Sequence, residues 1–388
     1  MDRSYNVFVD NGLYVLAYYL NKDINDITYQ DIENSIDLMS DKIEEFVSCE
    51  KYSNLKSMCF SNSMLTQPKG KVTLNEKLKG FVKNQGDEYC SLCGQYKAKV
   101  KIEDKEYNIG RSYMPNLVAN TFYNFSNNLQ GLNVCPYCLV LTMYSILNCR
   151  VSRYAFLYNS TSNEFMEDYT FRIQKENLTD VELGAKKEKE KYSIVKLLES
   201  LVCKYNLFDG DIEQYMFNNS GQSQDIQVNR IKNKYVNLLI KLQGKALLSN
   251  FEKLHLDRYI LNGTLESNYL REVYRVKKEE KMDEKEQKNF DELVILLNRE
   301  VNVLKKVKID IIKKLTDKLK TSDLDIDKIY KELKMLGKFY AYEDWLVNLN
   351  EMYYEKTGEK LFEAEDYIEL DDIRSFRQIK NLILVSLI

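Results

Sequence analysis

Histidine is nearly absent from this chain, with one copy, His255, in 388 residues. Histidine supplies the neutral-pH general base, the base of Ser-His-Asp hydrolases and the commonest nitrogen ligand of catalytic zinc. HExxH metalloproteases, HNH nucleases and His-Asp phosphohydrolases need more than one, so counting excludes them. A Ser-His-Asp hydrolase survives only arithmetically, and His255, between Phe251 and Tyr259, reads as an ordinary helix histidine. Proline is also scarce. Pro68, Pro115 and Pro136 are the only copies and all precede residue 137, as do seven of the 14 glycines. Charge of one sign is lacking, since 56 Lys and Arg face 59 Asp and Glu for a net charge of −3. Any nucleic-acid site must therefore be local and not a global basic character. Long hydrophobic runs are missing as well. The best, Leu139 to Leu147, is interrupted by Thr142 and Ser145 and is too short for a bilayer. The start, Met1 to Asn11, carries Asp2 and Asp10 in place of a basic n-region and an apolar run. A cytoplasmic protein with no membrane partner is expected.

What is present divides by position. A chain of this length implies two or more cores. The 252 residues after Pro136 hold no proline and are rich in Leu, Ile, Lys, Glu and Asn. Nothing in such sequence forbids continuous helical hydrogen bonding. The expectation is an α+β N-terminal part with a zinc-knuckle module, followed by an all-α C-terminal bundle of about five or six helices. The mixed region is placed at 1–185, with the module at about 88–150, and the helical region at 186–388. Apolar residues from Leu293 to Leu315 recur at spacings of three and four, predicting one amphipathic helix over 290–319. Similar faces occur at 192–205, 231–248, 326–339 and 366–387, with breaks near 210–225, 262–264 and 357–359. The runs KKEKEK (186–191) and KKEEKMDEKEQK (277–288) alternate in sign and read as solvated faces or linkers that mark boundaries. A helical module is expected from about 282.

Eight cysteines in a reducing compartment favour metal or redox chemistry over disulfides. Cys90-Ser-Leu-Cys93-Gly94 and Cys135-Pro136-Tyr137-Cys138 are two C-x-x-C knuckles. The turn between two such thiolates aims both sulfurs at one point, where they can share a tetrahedral zinc. Gly94 suits the tight turn this needs. Cys93 and Cys135 have 41 residues between them, more than in compact zinc ribbons, but closure entropy grows only logarithmically with loop length. The other reading is redox, because Cys-Pro-Tyr-Cys also stands at glutaredoxin active sites. That fold places a later proline against the dithiol, and this chain has none after Pro136. A closed four-cysteine zinc site offers water no coordination position, so its expected role is structural. Cys49, Cys59, Cys149 and Cys203 read as small buried hydrophobes.

From Tyr107 to Asn163 there is no Asp or Glu. A polyanionic partner would select against acids in this way, because each phosphate contact favours cations and penalises carboxylates. The other explanation is burial, with an apolar segment packed around the metal. On the first reading, Asn62, Asn124, Asn127 and Asn128 are candidates for base edges. Lys69, Lys71, Lys97, Lys99, Lys101, Arg111, Arg150 and Arg153 are candidates for phosphates. Lys97, Lys99 and Lys101 alternate, and one strand would put all three on one face. A carboxylate-based two-metal nuclease needs no histidine and remains a competing class. The acid-free window holds no acidic signature for it.

Several segments, taken in order, resemble the large subunit of the type I-B CRISPR Cascade effector complex, in its Tneap-subtype branch. They are Val9-Asp10-Asn11-Gly12 before an apolar helix, Phe60-Ser61-Asn62-Ser63 with Thr66-Gln67-Pro68, the first knuckle, Phe122 to Phe125 with nearby Gly131, and the second knuckle. The resemblance covers the first 160 positions, and the C-terminal helices agree in class alone. It implies a non-enzymatic antiviral-defence subunit that recognises the protospacer-adjacent motif in target double-stranded DNA. It also implies help with strand opening and recruitment of the helicase-nuclease, in company with crRNA-containing backbone subunits. Pairing reads the sequence in such systems, while protein reads a short motif and the backbone. A small subunit made separately from the C-terminal region is a further implied partner, with Met282 as its candidate start.

Overall fold

In the computed structural model, the described residues are 1–60, 73–83, 86–95, 97–98, 101–102, 105–106, 134–151, 154–186, 205–218, 225–261, 263–279, 283–301 and 306–387. They are mostly helical with small antiparallel sheets, in two compact units, Met1–Val236 and Asn237–Ile388.

The first unit opens with α1 (Val7–Leu20), α2 (Tyr29–Ser48), α3 (Leu55–Cys59) and α4 (Leu74–Val82). Asn6 caps α1 by accepting from the Phe8 and Val9 amides. Thr28 and Asp31 form a capping box on α2, whose buried Ile32, Ile36, Met39, Ile43 and Phe46 recur at spacings of four and three. Two short hairpins follow, β1 (Glu88–Tyr89) with β2 (Lys97–Ala98), and β3 (Lys101–Ile102) with β4 (Lys105–Glu106). Next come α5 (Pro136–Tyr144), β5 (Arg150–Val151), β6 (Ala155–Ser160) and α6 (Asn163–Glu182).

Helix α1 is the hub, packed against α5 and α6. A Cβ on Gly12 would lie 1.8 Å from the Leu141 carbonyl oxygen, so only glycine lets α1 and α5 approach this closely. Asp10 and Asn11 are fully buried and satisfied. Asp10 accepts from Arg3 at 3.1 Å and from Ser4, and Asn11 donates to the Tyr158 carbonyl at 3.0 Å. The segment Val9 to Gly12 thus serves packing.

The expected break near 210–225 holds a β-hairpin instead. Strands β7 (Ile212–Asn218) and β8 (Asp225–Ile231) complete an antiparallel sheet of order β5-β6-β7-β8. The signal was in the sequence: Ile212, Tyr215, Phe217, Ile226, Val228 and Ile231 are branched or aromatic and flank an Asn-Asn-Ser-Gly turn sequence. The contact between β7 and β6 carries the first unit's boundary to Val236, past the expected 185.

The division falls within α7 (Asn233–Gly244). The second unit continues with α8 (Leu248–Lys253), α9 (Asp257–Leu261), α10 (Leu265–Glu279), α11 (Glu284–Glu300), α12 (Lys306–Lys320), α13 (Ile326–Met335), α14 (Phe339–Thr357), α15 (Ala364–Leu370) and α16 (Phe376–Ser386). The elements are more numerous and shorter than expected. The single helix over 290–319 is two, because α11 ends at Glu300 and Val301-Asn302-Val303 is poor helix-forming sequence. The pattern over 366–387 is likewise α15 and α16. Gly263 and Gly358, both at positive φ, sit at the expected breaks near 262–264 and 357–359. Asp283 caps α11, which fixes a boundary inside the second charge run. Helix α16 forms the core, with α10, α12 and α13 packed on it. The sequence of 192–204 and Cys203 lie outside the described residues.

Candidate metal centre

The first knuckle lies between β1 and β2, where Glu88 pairs with Ala98 and Tyr89 with Lys97. Within it, Gly94 has φ +68° and its amide donates to the Cys90 carbonyl at 2.8 Å. The left-handed residue lets the chain reverse so that both sulfurs face one side. The second knuckle is the start of α5. Cys135 is its N-cap and Pro136 its first residue, where the missing amide proton is no loss. The Cys138 amide donates to Cys135 Sγ at 3.4 Å, and the Cys135 amide to Cys90 Sγ at 3.3 Å. Backbone N–H groups aimed at sulfur favour thiolates.

The two knuckles converge. Sγ atoms of Cys90, Cys93, Cys135 and Cys138 all lie within 4.8 Å of one another, with Cys93 and Cys135 at 3.8 Å. A tetrahedron with metal–sulfur bonds of ~2.3 Å has sulfur–sulfur edges of about 3.8 Å, so the cluster has the dimensions of a tetrathiolate metal site. Disulfides would need sulfurs about 2.05 Å apart. Cys90, Cys135 and Cys138 are buried and Cys93 is half-buried. Packing four thiols together splits them. Accepting from Cys135 and Cys138 brings Cys90 down to about 6 and Cys93 lower still. Cys138 goes up, because it donates to Cys135, Cys90 and Cys93 and is buried. A divalent cation would let all four ionise, which is the charge balance this donor set asks for.

Helix α2 supplies the wall. The Tyr29 and Tyr137 rings are 4.5 Å apart, and Tyr137 donates to Glu33 at 2.6 Å. Burial and the nearby sulfurs push the Tyr29 phenol up to about 12, so it stays neutral beside the cluster. Sequence reasoning did not nominate Tyr29, although the Thr28-x-x-Asp31 cap fixes it at the first position of α2.

The DNA candidates fare differently. Asn62, Lys69, Lys71, Lys99, Arg111, Asn124, Asn127, Asn128 and Arg153 lie outside the described residues. Lys97 and Lys101 do not share a strand: Lys97 pairs within the first hairpin and Lys101 within the second. Arg150 is a correction. It is 6% exposed, donates to Glu176 at 2.7 Å, and also bonds Asn177 and the Ile173 carbonyl. It fastens β5 to α6 and is buried there, not displayed on the surface. The described part of the acid-free window makes the same point, since every residue from Val134 to Arg150 is buried. Burial accounts for the missing acids there.

Sequence reasoning also missed a second thiol contact, Cys59 with Cys149 at 3.8 Å, both 1% exposed. Comparison with known families, curated proteins and solved structures returned no match. Among the described residues no helix is long and apolar enough to cross a membrane.

Proposed function

We propose that the chain is a zinc-stapled, non-catalytic nucleic-acid-recognition protein. In this reading it is the large subunit of a crRNA-guided Cascade complex, cytoplasmic, that reads the protospacer-adjacent motif in duplex DNA. It then assists strand opening and recruitment of the helicase-nuclease. The observation that carries the reading is the convergence of both knuckles on one closed set of four sulfurs. Cysteine sulfur selects zinc or iron, and a full set of four leaves no position for a reacting water. Such a site staples. The segment it ties at both ends, between Cys93 and Cys135, carries Arg111 and Asn124, Asn127 and Asn128. The dithiol alternative is disfavoured, because Cys135 and Cys138 are fully buried and shared with the other knuckle.

Expression together with a crRNA and the backbone subunits tests the reading. The chain should co-purify with the ribonucleoprotein, carry one zinc and leave DNA uncut. A chain that purifies alone and cleaves DNA with added divalent metal would favour the nuclease class. Within the complex, Lys99→Ala and Arg111→Ala should each flatten the salt dependence of duplex binding by about one. An unchanged slope removes that residue from the interface. An internal start at Met282 would begin the small subunit directly before the Asp283 cap of α11. Mass spectrometry of the complex finding only the full-length chain would eliminate it.

A further inference from the structure

Although the chain is nearly neutral overall, residues 339–372 hold eleven Asp and Glu against only Lys356 and Lys360. Helix α14 lies in this stretch. Its inner face is apolar and buried, through Tyr342, Trp345, Leu346, Leu349 and Tyr353. Its outer face is not simply polar. Tyr340, Val347 and Tyr354 are 74%, 44% and 57% exposed and recur every seven residues, which aligns them within about 40° around the helix. Asp344, Glu351 and Glu355, spaced by seven and four, run beside them as an exposed row. None of these three is in an ion pair among the described residues. Carboxylates crowd nearby: partial burial and neighbouring Asp371 hold the Glu343 carboxyl above its ordinary value. Alongside, a mostly apolar cleft of 570 Å³ between α13 and α14 is lined by Met335, Leu336, Trp345 and Asp344, with Lys331 and Glu332 of α13 also in its wall. Met335 is 84% exposed at its rim.

Scattered apolar residues on a surface are ordinary, but a heptad-spaced row flanked by unpaired carboxylates beside an apolar cleft is a patterned surface. We infer that this face of α14 docks a lysine- or arginine-bearing amphipathic helix of another protein. The apolar row and cleft take the helix's apolar side chains, and the acidic row takes its cations, the arrangement seen when a helix lies in a groove with charged flanks. The carboxylates exclude DNA or RNA as the occupant. The face belongs to the second unit and the metal centre to the first, and the inference does not depend on the proposed function.

The probe is a synthetic helical peptide with leucine on one face and lysine on the flanks. Its counterpart carries glutamate in place of lysine. Trp345, the single tryptophan of the chain, reports binding by its fluorescence. The full chain should bind the lysine peptide at least tenfold more tightly than the glutamate peptide. Val347→Ser with Tyr354→Ser should weaken it at least tenfold without changing charge. Glu351→Lys with Glu355→Lys should invert the preference. All four positions are exposed, so circular dichroism should not change. Equal affinity for both peptides, or lysine-peptide binding untouched by either pair of substitutions, overturns the inference. So does a concentration-dependent dimer in sedimentation that Glu351→Lys with Glu355→Lys abolishes, since the occupant would then be a second copy.

Discussion

The segment from Val134 to Val151 carries thiols at both ends, and the two ends behave differently. At its start, Cys135 and Cys138 meet Cys90 and Cys93. At its finish, Cys149 meets one other sulfur among the described residues, that of Cys59, and its neighbour Arg150 meets Glu176. The closest sulfur pair named at each end is 3.8 Å apart. Distance therefore does not distinguish a metal site from two thiols in contact. Number and surroundings do. The first end gathers four sulfurs and points backbone amides at them, which stabilises negative charge. At the second, burial pushes the Cys59 thiol well up, and Cys149 donates to the Ser145 carbonyl. One end has the sulfurs and amides that suit thiolates around a cation. The other is built from buried thiols that pack like small hydrophobes.

Removing one sulfur at each end breaks the comparison most directly. Cys138→Ser should abolish stoichiometric metal binding and expose the segment around α5 to protease. Structural zinc contributes ~10–16 kcal/mol to folding of small zinc peptides, and a large share of that is at stake here. Cys149→Ala should leave the metal in place and cost only about 1–2 kcal/mol, for a small cavity. Metal analysis and thermal melting of both variants decide the matter. Equal metal content in the two would mean that the four-sulfur cluster binds nothing.

Arg150→Ala ranks between these. It leaves the Glu176 carboxylate without its buried partner, the Asn177 side-chain oxygen without the Arg150 donor and the Ile173 carbonyl with one donor fewer. A loss of about 2–4 kcal/mol is expected from chemical denaturation, with no change in the salt slope of DNA binding. A flattened slope with intact stability would return Arg150 to the DNA interface.

The same contrast shows what the sequence discloses. The tetrad was legible because C-x-x-C spacing acts locally: each turn sets two sulfurs, and chain entropy tolerates the 41 residues between the pairs. Gly94 was legible for the same reason. The role of Arg150 was not. An arginine in an acid-free window looks free until the fold brings Glu176 from the next helix across to it, and that pairing is tertiary. Cys59 and Cys149, 90 residues apart, are equally invisible as a pair. The hairpin at 212–231 had a readable pattern, but proline-free surroundings argued for helix. Proline's absence permits helices without excluding strands. The split of the 290–319 pattern was hidden because periodicity does not report where a helix stops.

The smallest effect concerns pH and again separates the two ends. Burial opposes the charge on Glu176, yet Arg150 and Arg172 beside it hold its carboxyl below the ordinary value. A carboxyl depressed in the folded state contributes stability that is fully present above its unfolded value, near 4.3, and fades as pH falls through the folded one. Because the Glu176 side chain is 42% exposed, solvent screening keeps the contribution under about 1 kcal/mol. A metal held by the four thiolates should also be released on acidification, since protons compete for them. The two are separable with Glu176→Gln, which should flatten the fall in stability below pH 5 while leaving the pH of metal release unchanged. A shift in metal release in that variant would show that the two ends of the segment are coupled through α5, and that the contrast between them is not local.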